Sequence, residues 1–516
     1  MMTAFILLIT IGILIWGYYR SRPYGRPGIM SWLQSITLML PWLLFFGLSA
    51  AGVFLNLASV LFLFVGSTLA YILIGRQLRS AANTEELLKR SMANAQVNGA
   101  SPTTPVSPTT SDPDSTSVPA TSEAKSEVKS EVKNTDFSIP AMPAEDVQAV
   151  KGIFGIDTFF ATETIPYQDG VIFRGNLRGD SQYSHDQLSA NLKAIATPDG
   201  GSLGDRYRLF LIEGPEAKPV VVVLPSSNDP KPTTLVQGGL AGVLAIATLA
   251  TSLETAGVLR GFDFFAEPQR FAEVWPISLG IVVVLAIHEL GHWAMARRHQ
   301  VKLSPPFFIP TWQIGSFGAL TRFQSLLPNR SVLFDVAFAG PALGGLVALG
   351  MLSAGLLLSH SGSLFQIPAE FFQGSILVGT LARLFLGSAL QQPLVDIHPL
   401  VIVGWLGLVI TAINLMPAGQ LDGGRIVQAI YGRKTAGRLT VVTLIVLFLA
   451  TLANPLALYW AIVILFLQRD LERPALNELV EPDDTRAALG LLALFLMAAT
   501  LLPLTPALAG RLGIGG

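Results

Sequence analysis

The sequence predicts a mainly α, polytopic membrane protein of about 8–10 transmembrane helices, with a small soluble α+β domain inserted before its C-terminal helical core. Three observations point there. The 516 residues are 51% hydrophobic and only 13% charged, with a mean hydropathy of +0.53, outside the ordinary soluble range. Apolar runs approaching the roughly 20 residues that a helical span needs recur along the chain. A polar stretch and then a mixed, strand-rich stretch separate an N-terminal group of such runs from a C-terminal one.

The first group occupies residues 1–79, with candidate spans at 3–19, 32–48 and 52–74. Its opening, "MMTAFILLITIGILIWGYY", lacks the basic n-region of a signal peptide and the Arg/Ser-rich character of a transit peptide, so it reads as a retained span. Residues 80–139 are Pro/Ser/Thr-rich and then repeat S-E-x-K three times. Such a segment cannot bury enough apolar surface to offset its ordering entropy and is expected to be a disordered tether.

Residues 140–232 read as the soluble α+β domain. "AEDVQAVKGIF" has helical spacing, "TIPYQDGVIFRGNLR" predicts a hairpin around Asp169-Gly170, "SHDQLSANLKAIA" a helix opened by a Ser or Asp cap, and "RYRLFLIEGPEAKPVVVVLP" a second hairpin. The core, 233–510, carries candidate spans at 234–258, 275–296, 333–358, 397–416 and 486–508. The run 439–467 is broken by Asn454-Pro455 into a kinked helix or a tight pair, and 373–390 is short and carries Arg383. Lys and Arg collect after alternate spans, at Arg20, Arg22 and Arg26, Arg76 and Arg79, Arg297, Arg298 and Lys302, and later around Arg425 and Arg433. These loops are expected on the inner side.

A net charge of −1 gives no electrostatic basis for nucleic acid as a partner. The absence of cysteine excludes disulfides, iron–sulfur clusters and thiolate-held zinc.

The chemistry concentrates in "HELGH", residues 288–292. On a helix His288 and His292 lie one turn apart and can share one metal, while Glu289 beside them can reach water at that metal as a general base. Zinc hydrolases use this arrangement. The alternative is a merely structural cluster, but each ionisable group in a membrane helix costs about 2.5–3.5 kcal/mol on insertion scales, and three together need compensation by a metal or a wet cavity. Zinc normally takes a third protein ligand. His185 falls in the soluble domain, His360 and His398 near the outer ends of spans, and His299 among surface cations. The outstanding candidate is Asp422 in "AINLMPAGQLDGGRIVQAI", bracketed by Pro417, Gly419, Gly423 and Gly424. A plain polar turn is the competing reading of that segment.

An H-E-x-x-H helix followed by N-x-x-P-x-x-x-x-D-G, here Asn414, Pro417, Asp422 and Gly423, resembles the site-2 protease family of intramembrane zinc metalloproteases. The resemblance implies His288, His292 and Asp422 as Zn2+ ligands, Glu289 as catalytic base and Asn414 as a substrate-positioning residue. "FDVAFAGPALGG", 334–345, looks like that family's small-residue span, with Gly340, Ala342, Gly344 and Gly345 allowing close packing. "GNLRG" at 175–179, "IGSFGAL" at 314–320 and "PALNELVEPDDTRAALG" at 474–490 are most similar to the EGY-type branch of chloroplasts and cyanobacteria. The likeness covers roughly 140–510 and makes 233–510 the intramembrane metalloprotease core. "LMPAGQLDGG" departs from the residues common between Pro and Asp in the wider family while keeping the spacing.

On that footing the expected function is zinc-dependent hydrolysis of peptide bonds within or near transmembrane segments of membrane proteins. Its partners would be such substrates and the lipid bilayer, with a homo-oligomer left open. The expected location is a cyanobacterial plasma or thylakoid membrane, with the site toward the cytoplasm. Pro305, Pro306 and Pro310 rule out a plain helix after the motif. Residues 313–323 are expected to form a strand or hairpin, with Gly315 and Gly318 in it, that holds substrate as an added strand. Two other classes compete. A metal or proton transporter would spread ionisable groups through the bilayer thickness, and an inactive protease-like scaffold would have lost Glu289 or a ligand.

Overall fold

The computed structural model describes residues 142–514, apart from positions 168, 215–217, 453 and 469, together with scattered positions between 17 and 74. The chain divides into two compact units, Met1–Ser130 and Glu131–Gly516. In the first, Gln34 Nε2 donates to the Tyr71 carbonyl (3.3 Å) and the Tyr18 and Trp32 rings lie 5.1 Å apart. The spans expected at 3–19, 32–48 and 52–74 fall largely outside the described residues, and the tether expected over 80–139 falls wholly outside them.

The second unit begins with an α/β domain: α1 (Ala144–Lys151), β1 (Phe159–Tyr167), β2 (Gly170–Leu177), α2 (Ser181–Ala194), β3 (Tyr207–Glu213) and β4 (Pro219–Pro225). The strands form one antiparallel sheet in the order β1-β2-β4-β3. Tyr167 pairs with Gly170, so Gly170, expected in the turn, is already a strand residue. Asp180 caps α2, accepting from Gln182 N (3.0 Å) and Tyr183 N (2.9 Å).

Period-two alternation sorts the sheet's side chains. Phe173, Leu209, Leu211, Val221 and Val223 face a core closed by Val150, Leu188 and Leu192 of the helices. Phe210, Val220 and Val222 face the other way, onto Leu326 and Leu476. The unbroken "VVVV" of β4 reflects burial on both faces.

Thr234 and Gln237 form a reciprocal capping box that starts the helical core. In order come α3 (Leu235–Leu259), α4 (Phe271–Arg298), a hairpin of β5 (Phe307–Thr311) and β6 (Gly315–Leu320), α5 (Arg330–Leu358), β7 (Phe365–Pro368), α6 (Ile376–Leu386), β8 (Leu394–Ile397), α7 (Pro399–Asn414), α8 (Asp422–Ala450), α9 (Pro455–Val463), α10 (Asp484–Leu501) and α11 (Pro506–Leu512). Among the described residues, four helices are long and apolar enough to cross a membrane by length and composition: α3, α4 with its preceding turn, α5 and α10. The candidate at 397–416 is the 16-residue α7. The one at 439–467 becomes the second half of α8 followed, after Asn454-Pro455, by the short α9. The stretch 373–390 holds only the 11-residue α6.

α5 sits between α4, α7 and α8. The outward faces of the helices stay bare, with Val236, Leu346, Leu357, Leu384 and Phe495 exposed, as suits contact with lipid rather than water. α8 breaks at Gly432 (φ 79°, ψ 172°). Arg330, itself buried, donates to the carbonyls of Ala429 (2.7 Å) and Ile430 (2.8 Å) and so closes the first segment of α8.

Candidate metal centre

His288 and His292 project from the last turns of α4 into the crossing with α5, both buried. Glycine lets that crossing close. A Cβ on Gly344 would come within 2.9 Å of His288 Cβ, and one on Gly340 would fall on the His292 ring at Nε2. Asp422 arrives from the other side as the first residue of α8, after the chain turns back through Pro417 and Gly419 (φ 48°).

The three side chains converge. His288 Nε2 is 3.1 Å from Asp422 Oδ2 and 3.1 Å from His292 Nε2, and His292 Nε2 is 3.4 Å from Asp422 Oδ2. A zinc ion held tetrahedrally at about 2.0–2.1 Å sets its ligand atoms about 3.3 Å apart, so this triangle has the size of one tetrahedral face. The Nδ1–H of His292 donates to the Val336 carbonyl (2.8 Å), which aims its Nε2 at the same point. The donor set, two imidazoles and a carboxylate, fits zinc, and Gly340 keeps the space beside His292 clear.

Glu289 is half-buried, and its ligand atom lies within 4.8 Å of those of His288 and His292. Its Oε2 accepts from Thr321 Oγ1 (2.9 Å) at the end of β6. A small cavity here is lined by His292, Ala319, Leu320, Thr321, Asn414 and Asp422, among others.

The region expected as a strand or hairpin over 313–323 contributes β6, paired antiparallel with the earlier β5, and a bulge beside Pro310 absorbs that proline. Gly315 (φ 83°) and Gly318 (φ 102°) both lie in backbone conformations that a Cβ disfavours. The hairpin is fastened to helices: Thr251 Oγ1 donates to Gly315 O (2.6 Å), Thr255 Oγ1 to Trp312 O (3.1 Å), and Asn414 Nδ2 to Phe317 O (3.0 Å). Asn414 also donates to Ile410 O (2.9 Å), and a Cβ on Gly318 would strike its amide. Asn414 thus holds the strand beside His288, His292 and Asp422.

Other sequence candidates lie elsewhere. His185 is buried in α2 of the α/β domain, and His398 caps the far end of α7 through Leu400 N. His299, expected among surface cations, has an acidic partner: its Nε2 sits 3.1 Å from Asp335, which Arg486 also binds at 2.7 and 3.0 Å. In "GNLRG", Arg178 N donates to Thr158 O (2.8 Å) and Arg178 O accepts from Ser184 Oγ (2.9 Å), contacts internal to the α/β domain. Sequence reasoning missed Thr321 and misplaced Arg425. That arginine is buried in an ion pair with Glu472 (2.9 Å), so it carries less weight as an exposed loop charge than its position implied.

The family described as "Peptidase family M50" matches residues 276–453, and "EGY3 middle domain" matches residues 148–231. The chain is 39% identical over 378 residues to "Probable zinc metalloprotease EGY2, chloroplastic" of Arabidopsis thaliana, covering 72% of this chain and 67% of the relative. It is 37% identical over 409 residues to "Probable zinc metalloprotease EGY1, chloroplastic" of the same plant, covering 72% and 73%. To "Probable zinc metallopeptidase EGY3, chloroplastic", also of Arabidopsis thaliana, it is 32% identical over 384 residues, covering 70% and 66%. No solved structure matches. The chain belongs to peptidase family M50 and is a zinc metalloendopeptidase. Within that family it falls in the EGY-type branch. These relatives are named as chloroplastic plant proteins, which gives no support to the cyanobacterial source or the cytoplasmic-facing site expected from the sequence.

Proposed function

We propose that this metalloendopeptidase cuts peptide bonds within or beside the transmembrane segments of membrane-protein substrates, with His288, His292 and Asp422 as zinc ligands and Glu289 as catalytic base. The observation that carries the reading is the donor triangle of 3.1, 3.1 and 3.4 Å at the end of a 28-residue, largely apolar helix. A soluble peptidase has no reason to mount its metal on a helix long enough to cross about 30 Å of hydrocarbon.

Zinc bound there supplies Lewis acidity, polarising the scissile carbonyl and lowering the pKa of water toward about 7. Glu289 takes a proton from the attacking water as the C–O bond forms and returns it to the amine as the C–N bond breaks. The Thr321 hydroxyl occupies Glu289 Oε2, which leaves Oε1 for the water. Among the described residues β6 pairs as a strand with β5 alone, and its Ala319 and Leu320 line the site. An extended substrate strand laid along β6 at Ala319 and Leu320, beyond the Phe317 carbonyl that Asn414 already occupies, would gain backbone hydrogen bonds and present an unwound peptide to the metal; Gly315, Gly318 and Asn414 set the course of the strand. For water, a polar cavity of about 600 Å3 lined by Thr233, Thr234, Arg322, Gln420 and Glu472 shares Gln420 with the cavity at the metal. It opens beside the α/β domain, the end of the helices where the metal ligands also lie.

The test is zinc content and cleavage of a single-span substrate by wild type and Glu289→Gln. Zinc retained by both, with cleavage lost by at least about a thousandfold in the variant, is the expected result, since the base is removed and every ligand kept. Metal-free protein, or equal cleavage by both, overturns the reading.

A further inference from the structure

Arg425 lies one turn beyond Asp422 on α8 and is almost wholly buried. Its Nε and Nη2 reach Glu472 Oε2 (3.1 and 2.9 Å), Nη2 also donates to the Thr321 carbonyl (2.7 Å), and the guanidinium stands 4.9 Å over the Phe323 ring. Thr321 in turn donates its hydroxyl to Glu289 Oε2 (2.9 Å). One continuous set of directed bonds therefore runs from Glu472 through Arg425 and Thr321 to the base.

Glu472 is itself fixed. Its carbonyl accepts from Gln428 Nε2 (3.0 Å) and from Arg433. A few residues on, Leu476 N and Asn477 N donate to Leu327 O (2.8 Å) and Pro328 O (2.9 Å), while Leu211 N of β3 donates to Leu476 O (2.7 Å) and Glu478 N to Leu211 O (2.9 Å). The segment "ERPALNE" is thus stitched to both the helical core and the α/β domain.

A buried ion pair is a poor way to gain stability, because well-packed apolar side chains of the same volume often serve as well or better. What a guanidinium offers instead is a rigid fork that fixes two acceptors relative to each other. Here the two are the Glu472 carboxylate and the backbone of the residue that touches the base.

We propose that Thr321, set by the Arg425–Glu472 pair, is a positioning residue for the reaction: it holds the Glu289 carboxylate by Oε2 so that Oε1 faces the attacking water. The proposal rests on Glu289 being the base. A carboxylate free to rotate would spend much of its time misaimed, so loss of the hydroxyl should slow the chemical step and leave binding nearly unchanged.

The experiment uses the full chain, zinc-loaded in detergent, with a single-span substrate. Thr321→Val should lower kcat at least tenfold with KM within about threefold and zinc stoichiometry unchanged, and Thr321→Ser should restore kcat to within about threefold of wild type. Glu472→Gln should lower kcat several-fold, and combined with Thr321→Val it should add little to the valine loss, because both act through one hydroxyl. A wild-type kcat in Thr321→Val, a serine variant as slow as the valine one, or losses that multiply would each overturn the proposal. A readout without turnover is the infrared band of the Glu289 carboxylate, isolated by subtracting Glu289→Gln. It should shift in Thr321→Val and return in Thr321→Ser, and an unmoved band refutes the contact. Wild-type protein that holds zinc but cleaves nothing would refute the protease reading, and the infrared band would still decide this one.

Discussion

The α/β domain and the metal end of the helical core are built on opposite plans. In the domain, apolar side chains do the holding: Phe159, Phe173, Leu188, Leu211, Val221 and Val223 are fully buried between sheet and helices, and Phe154 packs on Phe173 at 4.7 Å between ring centroids. At the metal end the buried residues include His288, His292, Asn414, Asp422, Arg425 and Glu472, each with a named polar partner. Glycine replaces bulk beside three of them, Gly344 at His288, Gly340 at His292 and Gly318 at Asn414. The first plan depends on filled volume and tolerates a change of contact. The second depends on direction, so small changes there should alter chemistry before they alter stability.

The largest expected effect that separates the two plans is Gly340→Ala. The added methyl meets His292 at Nε2, so zinc stoichiometry and cleavage should both fall by more than about tenfold, even though alanine favours a helix over glycine by about 1 kcal/mol. Metal analysis alongside a melting curve checks it; full zinc occupancy would mean the crossing relaxes and the contrast is weaker than drawn.

Phe173→Ala should act the other way. It should cost the domain about 3–5 kcal/mol, read as faster hydrogen exchange in β2 and β4, while folded protein keeps its zinc. Parallel loss of zinc would show that the domain's core and the metal centre are one cooperative structure.

The smallest effect belongs to the seam between the two regions. Burial pushes the Glu478 carboxyl above its ordinary range, with Arg433 and Arg330 pulling it down and Glu213 adding to the rise. A carboxyl whose folded-state pKa is raised contributes stability that is full below its unfolded value of about 4.3 and is lost as pH rises through the raised value. Glu478→Gln should therefore match wild type at low pH and melt at a slightly higher temperature toward neutrality. Curves that stay parallel from pH 4 to 8 would remove Glu478 from the seam.

Much of this was legible in the sequence because it is periodic or local. Strand-forming runs on either side of turn residues gave the two hairpins, β1–β2 and β3–β4, and the four-residue spacing of His288 and His292 sets both rings on one face of any helix. Asp422 stood out by its bracket of Pro417, Gly419, Gly423 and Gly424 after an apolar run, and the resemblance to site-2 proteases implied its role as a ligand. Less legible was whatever depends on a partner far along the chain. Arg425 reads as a loop charge until Glu472 covers it, and nothing local distinguishes Thr321 from any strand-end threonine. The break at Asn454-Pro455 was legible and the structure places it there, whereas the run 397–416 holds a helix of only 16 residues, because hydropathy records apolar composition but not where a helix stops.

The sequence by itself determined the metal chemistry and the apolar setting, since ligand type, helix period and hydropathy are properties of short stretches. Only the tertiary structure decided the site. His288 and Asp422 are 134 residues apart in sequence and 3.1 Å apart in space, and that distance follows from how α4, α5 and α8 pack. Glycine at the α4–α5 crossing and a turn through Pro417 and Gly419 make the approach sterically possible, and the bonds from Asn414, Thr321 and Arg425 fix what it brings together.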